Sequence, residues 1–380
     1  MKFNPGQYQQ VPAQKYKAFV PSSLLKQDLQ INDPQIPMLL EEANLYLGKL
    51  SAYSNLVPDI DFFIQMHVRR EAATSSKIEG IHTSVTEAAM DKEDLDPEKR
   101  DDWEEVQNYI KSLHWANEEL NQNKPLTVRL IKSAHKILLD GVRGHNKRPG
   151  DFRNKQNWIG GSSPQDAIFV PPVHQSIAEH MGDLEKFWHS NEKPIPELIK
   201  MAITHYQFET IHPFEDGNGR TGRLLIILQL INTGFLTKPA LYLSKFFADN
   251  RQSYYDFLLR VSTHGDLEGW IKFFLKGVVV TAKDGKETLQ AILELRKKYE
   301  NLIEGGIGLK RQKAAKKLLL QLFSKPVVTV KDIETILGVT TPTANKFADE
   351  FQDIGLFEET TGFNRNRIFQ LHEYINLFTK

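Results

Sequence analysis

Between His212 and Arg223 the chain reads His-Pro-Phe-Glu-Asp-Gly-Asn-Gly-Arg-Thr-Gly-Arg, which brings a base, carboxylates, glycines and guanidinium groups into one short stretch. Each type has a use against a polyphosphate. Gly217 and Gly219 permit backbone conformations that other residues avoid. Successive amides in such a loop point inward as an anion nest. The stretch opens into an expected helix near Gly219, and the free N–H groups and dipole of a helix start favour a phosphate. Arg220 and Arg223 lie three apart, on one face of that helix, where two guanidinium groups can clamp phosphate oxygens. Asp216 supplies a carboxylate of the kind that Mg2+ takes together with substrate phosphates. His212, with an ordinary pKa of about 6.5, suits removal of a proton from a hydroxyl. The chemistry these residues could do together is binding of an anion or nucleotide beside a base able to take a proton from a hydroxyl.

The helix after the loop carries Leu224, Leu225, Ile226, Ile227, Leu228, Leu230 and Ile231, apolar nearly all round. Such a helix is buried, and it would hold the loop on a rigid element. The fold class is mostly α. Apolar positions at three- and four-residue spacing predict helices over 36–50, 59–79, 98–121, 127–140, 174–190, 195–210, 219–233, 244–263 and 267–282, followed by a long charged helical stretch to 303. Thr127 is placed to cap its helix. Glycines and prolines cluster between Gly150 and Pro172 around two β-prone pieces, 156–159 and 167–170, which predict a small protruding hairpin. Gly305-Gly306-Ile307-Gly308 reads as the clearest linker. Beyond it the expected order is a helix at 310–323, a Thr329-capped helix at 330–337, a helix from Pro342 to about Ile354, and two extended pieces joined by a Gly-Phe-Asn-Arg turn, which is the winged-helix order. The expected domains are an N-terminal helical region at 1–100, a catalytic domain at 101–285, a linker helix and Gly-rich linker at 286–308, and a winged helix-turn-helix domain at 309–380.

Bulk composition narrows the classes. Forty-eight Lys and Arg balance 48 Asp and Glu, so bulk charge gives no support to nucleic-acid or membrane binding. Cysteine is absent, which excludes disulfides, thiol catalysis and cysteine-ligated metals. The first twenty residues lack a basic start followed by an apolar run, and the apolar runs elsewhere are short, so a soluble cytoplasmic protein without membrane association is expected. His205 and His212 with Glu209 between them lack the spacing of a metal-hydrolase ligand set, and no GxxxxGK[ST] loop is present.

The stretch His212-x-Phe214-x-Asp216-Gly-Asn-Gly-Arg220-x-x-Arg223 resembles the Fic family motif HxFx(D/E)GNGRxxR at every fixed position. Phe152-Arg153, Ile159-Gly-Gly161 and Phe169-Val-Pro-Pro172 look like the family's flap, and Tyr254-Tyr255 and Trp270-Ile-x-Phe-Phe274 fall where the family has similar residues. The resemblance spans roughly residues 40–285. It implies a protein adenylyltransferase in which His212 is the base and Asp216 binds Mg2+. Gly217, Asn218 and Gly219 would form the anion hole, and Arg220 and Arg223 would meet the β- and γ-phosphates of ATP. Phe214 would pack in the core, Tyr254 and Tyr255 would lie against the adenine, and Ile168, Phe169 and Val170 of the flap would pair with an extended target segment. The resemblance also identifies Ser75-x-x-x-Glu79-Gly80 with the family's inhibitory motif, in which Glu79 would pair with Arg223. The implied partner is a protein hydroxyl, on another chain or on itself, with homo-oligomers open. Residues 309–380 are read either as a DNA-binding unit, with Lys346, Arg365 and Arg367 toward phosphate, or as a protein-docking unit. Fic-fold transfer of another phosphate-containing group stays open as well.

Overall fold

The computed structural model describes residues 3–27, 29–57, 59–144, 146–190, 192, 195–363 and 365–379. The chain opens on an antiparallel hairpin, β1 (Gly6–Gln10) and β2 (Lys17–Pro21), with Tyr8 opposite Phe19. This hairpin was not anticipated, because Gly-Gln-Tyr-Gln-Gln has little apolar alternation to read. Helices α1 (Gln35–Leu56) and α2 (Ile60–Ile78) follow, then α3 (Arg100–Asn121), α4 (Val128–Leu138), α5 (Ile177–His189), α6 (Glu197–Ile211) and α7 (Asn218–Asn232). Thr127 caps α4 as expected, its hydroxyl accepting from the Leu130 N–H at 3.2 Å. The short α8 (Ser244–Asp249) and α9 (Arg251–His264) lead to α10 (Leu267–Gly306). The single helix expected over 244–263 is broken at Asn250, whose φ of −118° and ψ of 36° are not helical.

The domain centre is α7, α6 and the first half of α10. Leu224, Leu225 and Leu228 of α7 are fully buried, as their unbroken apolar run requires. The Trp270 indole donates to the Ala202 carbonyl of α6 at 2.7 Å, satisfying its one polar atom inside the core. Helix α1 runs along α10, with Lys272 bonded to Asp33 at 2.5 Å and Lys283 bonded to Glu42 at 2.8 Å.

The linker expectation is corrected. Helix α10 continues unbroken for 40 residues through Gly305 and Gly306 and stops only at Ile307. Gly306 serves packing: a Cβ there would collide with the Ile354 side chain, and Ile307 is itself buried, while Gly305 and Gly308 face open space. Helix α11 (Leu309–Ser324) then leads into β3 (Val327–Thr329), α12 (Val330–Leu337), α13 (Thr341–Asp353), β4 (Glu358–Glu359), β5 (Ile368–Gln370) and α14 (His372–Thr379). The three strands form one antiparallel sheet in the order β3-β5-β4. Thr329 caps α12 in a reciprocal box with Asp332. In the expected Gly-Phe-Asn-Arg turn, Asn364 lies outside the described residues.

This C-terminal unit leans on α2. Phe63 meets Phe323 at 4.9 Å, His67 meets Phe378 at 5.0 Å, and the Arg69 guanidinium donates to the Ser324 carbonyl at 2.6 Å. Among the described residues, no helix is long and apolar enough to cross a membrane.

Candidate active site

Helix α6 ends at His212, which adopts a left-handed backbone with φ 49° and donates its N–H to the Phe208 carbonyl at 2.9 Å. A left-handed conformation is costly for a residue with a Cβ, so something must hold it. The loop then closes on itself through Asn218. Its side-chain oxygen accepts from the Phe214 N–H at 2.8 Å, and its amide donates to the Phe214 carbonyl at 2.9 Å. Asn218 therefore spends its side chain on loop shape, and only its backbone amide is left for an anion. Gly217, with φ 70°, starts α7.

Three residues outside the 212–223 stretch hold this loop. His135 stacks face to face on Phe214, centroids 3.7 Å apart. Its Nδ1 accepts from the Gly150 N–H at 2.9 Å, which leaves Nε2 to donate to the Asp216 carbonyl at 3.0 Å. Arg153 donates from Nε to the His212 carbonyl at 2.9 Å, and the Asn157 amide donates to the Phe214 carbonyl at 3.1 Å. Arg153 sat inside the flap resemblance, but nothing in the sequence marked its target.

The His212 ring is partly buried, with Nδ1 facing the Glu209 carbonyl at 3.3 Å. Burial, and then the Arg153 charge, bring its pKa down to about 4. The imidazole is therefore neutral at neutral pH. Donation from Nδ1 to the Glu209 carbonyl leaves Nε2 as the basic nitrogen. The Glu209 carboxyl stands 3.9 Å from the same Nδ1. Burial pushes its pKa up to about 8, against the pull of Arg223, so it holds its proton at neutral pH.

The two arginines do not form one clamp. Arg220 turns to α3, where it bonds Glu105 at 2.8 Å inside the protein; Arg143 bonds the other oxygen of the same carboxylate at 2.8 Å. Arg223 turns to α2. Its Nε donates to the Ser75 hydroxyl at 2.9 Å, and Nη2 donates to the Ser75 carbonyl and to Glu79 Oε1, each at 2.8 Å. Three positions apart on a helix is about 60° of rotation short of a full turn, enough to send the side chains to different neighbours. The Glu79 carboxylate also lies directly over the first turn of α7, where a Cβ on Gly219 would strike it. Burial works against the Glu79 charge, yet Arg223, Arg220 and His212 hold its pKa below the ordinary value. Gly80, with φ 85°, ends α2 behind it.

The aromatic pair divides. Tyr254 is 1 % exposed, stacked on Phe247 at 4.5 Å, with its hydroxyl 2.9 Å from His205 Nε2. It belongs to the core, which corrects the expectation that it lies against a base. Tyr255 is 38 % exposed, with the Arg251 guanidinium 5.6 Å from its ring centroid. The flap is a minimal hairpin, a single bridge between Ile159 and Phe169. Of its three expected target-facing residues, Ile168 is 65 % exposed, while Phe169 and Val170 are buried. The N-terminal hairpin covers them: the Phe19 N–H donates to the Val170 carbonyl at 2.8 Å, and the Phe19 and Tyr8 rings stand 5.5 and 6.2 Å from that of Phe169.

Asp216 is part exposed, with Oδ1 accepting from the Gly217 N–H at 2.6 Å. Among the described residues, no group of three or more His, Cys, Asp or Glu gathers to hold a metal. A lone carboxylate beside an anion nest fits Mg2+ that arrives already bound to nucleotide phosphates.

Residues 38–118 match the Fic/DOC family N-terminal region, and residues 125–230 match the Fic/DOC family. The chain is 30 % identical over 184 residues to the protein adenylyltransferase Fic of Aedes aegypti, a match that covers 47 % of this chain and 33 % of that protein. The chain thus spans about a third of the length of the curated relatives it matches. Its fold is similar to that of a Fic family protein from Desulfovibrio desulfuricans, with TM-score 0.55 and 19 % identity, covering 91 % of this chain and 98 % of that one. It is also similar to Fic-1 from C. elegans, with TM-score 0.54 and 21 % identity over 68 % of this chain and 75 % of that one.

Proposed function

We propose that this chain, which carries the Fic/DOC N-terminal region and the Fic/DOC domain, is a protein adenylyltransferase. It moves AMP from ATP onto a Ser, Thr or Tyr hydroxyl of a target protein or of itself and releases pyrophosphate. The observation that carries this reading is a neutral, left-handed His212 on the glycine loop that opens α7, with a carboxylate, Glu79, lying over that helix start from the end of the chain's own α2.

The target hydroxyl gives its proton to Nε2 of His212, and its oxygen bonds to the α-phosphorus as the bond from that phosphorus to the β-phosphate oxygen breaks. The N–H groups of Asn218 and Gly219, joined by that of Gly217 once Asp216 releases it, neutralise the charge gathering on the α-phosphate. Asp216 would hold Mg2+, which when bound supplies further neutralisation of the phosphate charge. Arg223 is the guanidinium nearest the nest and becomes available to the γ-phosphate once Glu79 leaves it. Arg220, tied to Glu105, acts by setting the α7–α3 spacing unless that buried pair opens. Tyr255 and the exposed Ile168 remain for the adenine and the target segment.

The Glu79–Arg223 pair acts as a brake in this reading, with Ser75 orienting the guanidinium. It competes with the γ-phosphate and crowds the start of α7. Purified wild type, Glu79→Gly and His212→Ala incubated with magnesium and α-labelled ATP, in parallel with γ-labelled ATP, test the whole proposal. Protein-bound label from α-labelled ATP alone, raised in Glu79→Gly and lost in His212→Ala, is expected. Label from γ-labelled ATP would replace AMP transfer with phosphoryl transfer.

We read residues 309–380 as a winged-helix unit that docks protein rather than DNA. Of the cations expected toward phosphate, Arg367 is engaged, with Asp349 and Asn345 each at 2.9 Å, and Arg311 of the same unit bonds Glu350, while Lys346 and Arg365 have no ion pair among the described residues.

A further inference from the structure

Arg153 is 2 % exposed, and among the described residues no carboxylate pairs with it. Burying a guanidinium without a counter-ion is costly, and this one is compensated only by carbonyls. Nε donates to the His212 carbonyl at 2.9 Å, Nη1 to the Lys155 carbonyl at 3.0 Å, and Nη2 to the Pro172 carbonyl at 2.6 Å. Its own N–H donates to the Pro213 carbonyl at 2.9 Å. The guanidinium thus bridges both feet of the flap to the catalytic loop. Asn157, on the flap strand nearest that loop, adds amide contacts to the Phe214 carbonyl at 3.1 Å and the His212 carbonyl at 3.4 Å, while its own side-chain oxygen is buried without a partner.

We propose that Arg153, assisted by Asn157, is the positioning residue for His212, holding its backbone in the left-handed conformation that aims the imidazole and coupling that aim to the seating of the flap. This rests on the reading of His212 as the base. The carbonyl of a left-handed residue swings out of the helical direction, and here it swings onto a planar fork whose other donors are fixed by the flap. Movement of the flap therefore moves the guanidinium, and with it the ring.

The arrangement also has an electrostatic face. The ring of His212 is approached by the Glu209 carbonyl and protonated carboxyl from α6, by Glu79 from the end of α2 and by Asp216 from the loop; the carbonyl and the two carboxylates tend to favour imidazolium. Arg153 is the cation that opposes them.

The test uses the full chain in the Glu79→Gly background. Arg153→Gln removes the charge and part of the fork; Arg153→Lys keeps the charge and loses the fork. With Arg153→Gln, kcat for AMP transfer is expected to fall about 100-fold with KM for ATP nearly unchanged, the cost of a small misplacement of a catalytic group. A histidine-labelled NMR titration is expected to show the His212 pKa rise by about one unit from its low value in that variant and stay low in Arg153→Lys. Arg153→Lys should nevertheless remain slow. If Arg153→Gln fails to fold, Asn157→Ala carries the test, with kcat lowered and the His212 pKa unmoved. An unmoved pKa with kcat within threefold of the parent in Arg153→Gln would overturn the proposal. An inactive Glu79→Gly parent would instead sink the transferase reading, and the titration would still decide whether Arg153 controls the ring.

Discussion

Two regions of this molecule could meet a phosphate, and they treat positive charge in opposite ways. Around the catalytic loop, Arg153, Arg220 and Arg223 are each 2 % exposed, and each is bound by groups fixed on other elements. In the C-terminal unit, cations lie nearer the surface, and those that pair do so with acids close by, as Arg367 does with Asp349 and Lys325 with Asp332. Solvated pairs of the second kind contribute about 0–1 kcal/mol each and reorganise freely. Buried charges of the first kind are expensive, and the protein keeps them in fixed geometry. The difference bears on the proposed chemistry: fixed, buried positive charge gathers at the start of α7, while the C-terminal unit carries cations of which only some, such as Arg367 and Lys325, pair with acids.

The contrast can be broken at several levels. The largest effect is expected from His212→Ala in the Glu79→Gly background, where AMP transfer should fall by about 10²–10⁴-fold, the usual loss on removing a general base. Residual transfer near the parent rate would move the base elsewhere. In wild type the same ring sets the acid limit. Its pKa is about 4, so it stays unprotonated down through weakly acidic buffer, and transfer should persist at pH 5.5 and fail only as pH drops through the value of the ring. Next in size, Glu79→Gly should raise transfer about tenfold or more, since a charge-assisted hydrogen bond of roughly 1.5–3 kcal/mol no longer has to be displaced. Tyr254→Phe should cost about 1 kcal/mol in thermal or denaturant unfolding, by leaving His205 Nε2 without its partner, with transfer little changed. A large rise in KM for ATP would return Tyr254 to the nucleotide site. The smallest effect is expected from Arg367→Ala, less than about 1 kcal/mol in stability. A steep salt dependence of DNA retention, weakened by that same change, would put the C-terminal unit on a phosphate backbone after all.

The sequence disclosed the loop far better than its supports. His212, Asp216, the glycines and the arginines stand within twelve residues and signal by type and spacing. The unbroken apolar run after Arg223 announced the burial of α7. What spacing could not disclose was direction. Arg220 and Arg223 share a helix face, yet one reaches Glu105 on α3 and the other Ser75 and Glu79 on α2, an outcome set by packing. Tyr254 and Tyr255 are adjacent in sequence but sit on opposite sides of the core boundary, because consecutive helical positions are rotated by about 100°. His135, Arg153 and Asn157 act on backbone carbonyls, and carbonyls carry no sequence signal. The Gly-rich stretch at 305–308 misled because glycine marks close approach as often as it marks a turn: Gly306 makes room for Ile354.

The length of α10 has a bearing on the order in which the protein becomes itself during synthesis. Helix α1 is made early, but its partners Lys272, Lys283 and Gln290 are added more than two hundred residues later. Helix α2 waits longer still, since Phe323 and Phe378 that cover it come near the end of the described chain. The loop at 212–223 leaves the ribosome after His135, Arg153 and Asn157, which hold it, and before most of α10. A nascent chain therefore carries the loop and its nearest supports before Trp270 of α10 packs on α6. Helix α2, which leads into Glu79, gains the cover of Phe323 and Phe378 only after those later residues are made.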